Sequence, residues 1–190
     1  LIIGIEGFMG DGKTILMVRN ALIDFVNNRD LYLNFKMIGI DYKHLLVSDF
    51  LNTETAQKYK NASLFIDEIT LFMDCRRSSR KENVALSTLL RQSRKRSIVI
   101  TYSCQSLEEV DLRLIRYTSI FIIAQRLYRE DKEGKSHEIE THRQYTIIDT
   151  RQRQQNTTYL VLDIRPFFKY YDTEEIIQSI YETKPKPKKE

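Results

Sequence analysis

The octet "GFMGDGKT" at residues 7–14 separates Gly7 from Gly12-Lys13-Thr14 by four residues, the spacing of a loop that cradles phosphate. Each residue type has a task in that chemistry. Gly7, Gly10 and Gly12 permit a tight turn whose N–H groups point inward at phosphate oxygens, at the positive end of the helix that follows. Lys13 is spaced to reach the β- and γ-phosphates, and the Thr14 hydroxyl to ligate Mg²⁺, an ion that keeps most of its shell as water and phosphate oxygen. Gly7, Gly10, Asp11, Gly12, Lys13, Thr14 and Ile15 are therefore the candidate nucleotide contacts. Asp11 suits such a site only if its carboxylate points out to solvent, since it would repel a triphosphate. A glycine-rich turn with an incidental lysine is the bland alternative, and the flanking sequence weighs against it.

A second chemical cluster is "LFIDE", residues 64–68, an apolar run that ends in two carboxylates. This is the form of a Walker B strand, whose C-terminal end is where ligands bind in an open α/β sheet. Asp67 would hold Mg²⁺, directly or through water, and Glu68 would polarise the attacking water. Gln105 ends the apolar run "ITYSCQ" and is a candidate sensor of the γ-phosphate; an ordinary loop glutamine is the other reading. Arg91, Arg94, Lys95 and Arg96 precede that run. Such charge runs are usually solvated faces, yet in an oligomeric NTPase a neighbour's guanidinium commonly neutralises transition-state charge.

The elements that must position these groups are legible in outline. "LIIGIE" reads as a buried strand before the loop, and Ile15, Val18, Leu22 and Val26 recur at helical spacing after it. A second strand is expected over residues 31–35, a helix-like segment in "TETAQKYKN", a strand in "ASLFIDEIT" and a helix over residues 79–95. "SIVITYSCQS" reads as a strand, "LEEVDLRLIR" as a helix and "YTSIFIIAQRLYR" as a strand. "EDKEGKSHE" carries turn chemistry, and "HRQYTIIDT" with "TTYLVLDIRPFFKYY" predicts strands added as an edge or hairpin. Alternating strands and helices predict an α/β fold: a mainly parallel sheet with helices on both faces and a C-terminal antiparallel addition.

The 190 residues suit one domain, expected over 1–183, followed by a disordered basic tail at 184–190. Net charge is +4; the tail "KPKPKKE" supplies +3 of it, so overall basicity is weak evidence for nucleic acid and local clusters must carry that argument. No apolar run is long enough to span a bilayer, and the first residues lack a charged signal region. Cys75 and Cys104 show no metal-ligand spacing and read as reduced thiols of a cytoplasmic protein, Cys104 in the core. His44, His137 and His142 are too scattered for a metal site. The cluster Arg76, Arg77, Arg80 and Lys81 could contact DNA phosphates or be a merely soluble loop.

Together "GFMGDGKT", Asn34 in "LYLNF", "SLFIDEIT", "RQSRKRSIVITYSCQSLEEVDLRLIR" and "FFKYYDTEEI" resemble the ATPases of the FtsK–HerA superfamily, nearest the zonula-occludens-toxin-like group. That group includes filamentous-phage assembly ATPases and is related to viral genome-packaging ATPases. The resemblance implies a RecA-like P-loop core, ATP with Mg²⁺, a homo-oligomeric ring, often hexameric, and ATP-driven movement of DNA. It implies catalytic roles for Lys13, Glu68 and Gln105, with Arg94 as the finger, and metal ligation by Thr14 and Asp67. It further implies work in the cytoplasm, of a host if viral, at an assembly site with capsid or membrane proteins as partners. Two other classes stay open: a P-loop nucleotide kinase or signalling NTPase that ignores DNA, and a nucleotide-dependent assembly scaffold.

Overall fold

Within the strand Ala62–Ile66, Leu64 and Ile66 join one buried cluster while Phe65 joins another. This is the period-two alternation of a strand covered on both faces. In the computed structural model, which describes residues 1–45, 58–71, 90–91, 93–151 and 156–171, that strand lies near the centre of an eight-stranded sheet of order β3-β2-β4-β5-β1-β6-β7-β8. The strands are β1 (Ile2–Glu6), β2 (Asp30–Leu33), β3 (Lys43–His44), β4 (Ala62–Ile66), β5 (Val99–Cys104), β6 (Ile120–Glu130), β7 (Ser136–Asp149) and β8 (Asn156–Asp163). From β3 to β6 every pairing is parallel, and β6-β7-β8 is antiparallel, as the sequence pattern predicts.

Helix α1 (Lys13–Val26) buries Ile15, Leu16, Met17, Val18 and Ala21 and belongs with Ile5, Leu33 and Phe65 to one cluster. On the other face Ile100, Tyr102 and Cys104 cluster with Leu114 of helix α2 (Leu112–Tyr117). Val26, the last member of the predicted α1 stripe, is exposed at the helix end. Gly4 of β1 is required by that packing: a Cβ there would sit 2.5 Å from the Tyr102 hydroxyl.

Three expected elements differ in form. "LEEVDLRLIR" is two pieces, a 3-10 turn at Leu107–Glu109 and α2, because Val110 between them is extended and buried. The Asp111 carboxylate then starts a new helix by accepting from the Arg113 N–H. "FFKYY" leaves the sheet as a 3-10 turn at Arg165–Tyr170, with Pro166 in its first turn. The described end of "TETAQKYKN", residues 58–61, is a turn that seats the buried Tyr59 edge-on against Tyr32, ring centroids 4.7 Å apart. Of the helix expected over 79–95, residues 79–89 and 92 lie outside the described residues; Leu90 and Arg91 are helical and 93–97 is a turn. Cys75, the cluster Arg76, Arg77, Arg80 and Lys81, and the tail 184–190 also lie outside them. No helix among the described residues is long and apolar enough to cross a membrane.

Candidate functional site

The loop 7–12 leaves β1 at its C-terminal end and opens α1, with Gly10 at φ 83° and Gly12 at φ 88°, backbone that favours glycine. Gly7 is needed for a different reason. A Cβ there would lie 2.8 Å from the Ala124 carbonyl oxygen of the neighbouring strand.

Lys13 is buried and donates from Nζ to the carbonyls of Gly7 (2.8 Å) and Phe8 (3.2 Å), so its ammonium is held in the mouth of the loop. The Thr14 hydroxyl donates to Asp67 Oδ2 at 2.8 Å, joining the loop to the end of β4. A hydroxyl beside a carboxylate is a hard oxygen pair of the kind Mg²⁺ accepts, the rest of its octahedron being water and phosphate.

Asp67 is fixed from three directions. Its N–H donates to Asn34 Oδ1 (2.7 Å) and its carbonyl accepts from Asn34 Nδ2 (2.9 Å), while the Ser103 hydroxyl donates to Oδ1. Ser103 Oγ in turn accepts from the Glu68 N–H at 2.9 Å. Glu68 has φ 52°, a left-handed conformation that costs an L-residue energy and is kept only where the surroundings fix it. Burial first, and the neighbouring Asp67 charge second, push its carboxyl above the usual carboxylate value, with Lys13 opposing.

These groups share a cavity of about 450 Å³, lined by Met9, Gly10, Gly12, Lys13, Thr14 and Ile15 of the loop and helix and by Glu68 and Gln105 at the ends of β4 and β5. Glu140 and Arg143 of β7 complete it with Ile164, Phe168 and Tyr171 beyond β8. A larger cleft of about 620 Å³ lies beside Phe25, Val26 and Lys43 and contains none of the predicted site residues.

Asp11 departs from the expectation of a solvent-facing carboxylate. It is buried, accepts from the Phe8 N–H at 2.7 Å and pairs with Arg126 at 3.3 Å. The loop's own backbone and an arginine thus absorb its charge. Arg94 sits in the exposed turn before β5, at the end of the sheet away from its own loop, since Ile2 pairs with Ile100 and Glu6 with Cys104. The structure therefore brings Gly7, Gly10, Gly12, Lys13, Thr14, Ile15, Asp67, Glu68 and Gln105 together and leaves Arg94 apart.

Residues with no local signature complete the site. Arg143 Nε donates to the Gly10 carbonyl at 3.0 Å and the Tyr145 hydroxyl to that of Gly12 at 2.9 Å, while Arg126 donates to the Met9 carbonyl at 2.9 Å. The added hairpin therefore fixes the loop's outer side. Ser103 carries a faint signal in sequence, a small polar residue inside an apolar run.

No protein-family model and no curated protein matches the chain. Among solved structures, the N-terminal domain of zonular occludens toxin from Neisseria meningitidis aligns with a TM-score of 0.57 and 17% identity, over 90% of this chain and 98% of that one. The genome packaging NTPase B204 from Sulfolobus turreted icosahedral virus 2, in complex with AMPPCP, aligns with 0.56 and 13%, over 85% and 98%. The DNA-packaging ATPase from Sulfolobus Turreted Icosahedral Virus gives 0.55 and 14%, over 82% and 95%. The resemblance read in the sequence is thus met at the level of architecture: the chain has the RecA-like P-loop ATPase fold, shared with the zonular occludens toxin domain and the viral packaging ATPases.

Proposed function

We propose that this chain is the ATP-hydrolysing subunit of a motor that moves DNA, of the genome-packaging or virion-assembly kind. The observation that carries the hydrolytic reading is the convergence of Lys13, Thr14, Glu68 and Gln105 on one cavity. A kinase must exclude water and hold an acceptor, whereas an acid facing the phosphate loop suits water activation. Lys13 leaves its loop carbonyls to bind the β- and γ-phosphates. Thr14 and Asp67 would hold Mg²⁺, which would supply charge neutralisation at the phosphates. Glu68 takes a proton from the attacking water, and Gln105 hydrogen-bonds that water or the γ-phosphate. The wider reading, a zonula-occludens-toxin-like member of the FtsK–HerA superfamily acting as a ring of the kind that is often hexameric, is supported by the likeness to packaging ATPases. On it Arg94 reaches a neighbour's nucleotide, and Arg76, Arg77, Arg80 and Lys81 contact DNA phosphates.

The test is ATP turnover with and without DNA, read beside the mass of the assembly. A motor gives DNA-stimulated turnover from an oligomer. Acceptor-dependent turnover without a DNA effect identifies a kinase, and nucleotide binding with little turnover of either kind identifies a scaffold.

A further inference from the structure

The cavity extends past the phosphate loop to a second chemistry. Its lining also includes Ile164, Phe168 and Tyr171, carried by the turn that follows β8. That turn is tied down at both ends. Ile164 is buried and its N–H donates to the Thr141 carbonyl at 3.0 Å, while Arg165 holds Asp163 through Nε (3.0 Å) and the terminal nitrogen (2.6 Å). At the other end the Ile38 N–H donates to the Tyr170 carbonyl at 2.8 Å, and Met37 bridges to Tyr171. On this fixed support Phe168 remains 45% exposed. Tyr171 lies nearly parallel to it, at 25° and 6.4 Å between centroids.

A large apolar ring on a fixed backbone, half bare in the same cavity as a phosphate cradle, is what a nucleotide's aromatic end requires. Interleaving a third ring between Phe168 and Tyr171 would need two contact spacings, about 7–8 Å. The 6.4 Å separation therefore leaves the exposed face of Phe168 as the stacking surface.

We infer that Phe168, backed by Tyr171 and bordered by Ile164, forms the nucleobase subsite of this cavity, stacking the base of the nucleotide whose phosphates lie on residues 7–14. A purine gains more than a pyrimidine because it offers more ring area. The inference rests on the proposed phosphate site and adds to it the recognition of the base.

The two are separated by titrating the full chain calorimetrically with magnesium tripolyphosphate, which has no base, and with MgATP. The wild-type chain should bind both, with ATP tighter by about tenfold or more, the range base–aromatic stacking supplies. Phe168→Ala should lose about tenfold for ATP while binding tripolyphosphate as before, and Phe168→Tyr should keep the ATP affinity. Equal wild-type affinity for the two ligands overturns the base subsite and leaves the phosphate site standing. Unchanged ATP affinity in Phe168→Ala, or a parallel loss for both ligands, also overturns it. Binding of neither ligand by the wild-type chain overturns both readings.

Discussion

Arg126 and Arg143 stand directly opposite one another in the β6–β7 ladder, and both reach across to the phosphate loop. Like charges so paired repel. Glu138 offsets this by accepting from Arg126 at 3.1 Å and pairing with Arg143 at 3.2 Å, and the ladder shifts register between Arg126 and Tyr128. Arg143 is the more committed of the two, with 9% exposure, Nε on Gly10 and one terminal nitrogen on the carbonyls of Ile139, Glu140 and His142.

Arg143→Ala should therefore loosen the loop rather than remove a phosphate ligand. Hydrogen bonds from a charged donor are worth about 1.5–3 kcal/mol, so nucleotide affinity should fall by about tenfold or more. Arg126→Ala, at a more exposed side chain, should cost less. Calorimetric titration with MgATP, beside circular dichroism to establish folding, checks the order of the two effects.

Glu68→Gln keeps the shape of the side chain and removes the proposed base. ATP should bind with near-normal affinity and persist, with single-turnover hydrolysis slowed by about 10²-fold or more. Normal hydrolysis in this variant would remove Glu68 from the chemistry.

Arg94→Ala tests the proposed ring. The six residues of β5 alone span about 20 Å, too far for Arg94 to serve its own loop. The variant should bind ATP and hydrolyse it slowly, by a factor that reaches about 10³ for arginine fingers. Mixing it with Lys13→Ala, which should lose most nucleotide binding, should restore part of the activity by joining intact loops to intact arginines. Confirmed subunit exchange without rescue would exclude the role in trans.

Cys104 is buried with its thiol facing the Ile5 carbonyl at 3.8 Å, and burial first, then the charges of Glu6 and Glu68, push its pKa up to about 12. A raised thiol pKa means the protonated, unreactive form persists far above neutrality. In a Cys75→Ser background the native chain should resist iodoacetamide at pH 8 and react only on unfolding. Mass spectrometry of the alkylated protein reads this directly.

The parts of the site that were legible in the sequence are those whose geometry is local. Residues 7–14 must turn because Gly10 and Gly12 have positive φ, and Asp67 and Glu68 follow β4 directly. Asn34 is visible in "LYLNF", but its work, holding both backbone groups of Asp67, needs β2 beside β4 and is invisible along the chain. Arg126, Arg143 and Tyr145 carry no signal along the chain for the same reason, since their partners lie on distant segments. The single helix expected in "LEEVDLRLIR" failed on short-range competition: Ser106 and Asp111 each cap a separate turn, and apolar spacing alone does not weigh such caps.

The place of β1 has a consequence for the order in which the protein can form. This first strand is flanked by β5 and β6, so Ile3 waits for both Thr101 and Ile120. The loop after it is completed only when Arg143 and Tyr145 have been made. On the ribosome, β1 thus emerges well before either of the strands it pairs with. Until then "LIIGIE" is an unpaired apolar strand, the type of segment that aggregates or occupies chaperones. A nucleotide cannot template the early stages of folding, because the shape it would recognise is completed only by Arg143 and Tyr145 of β7.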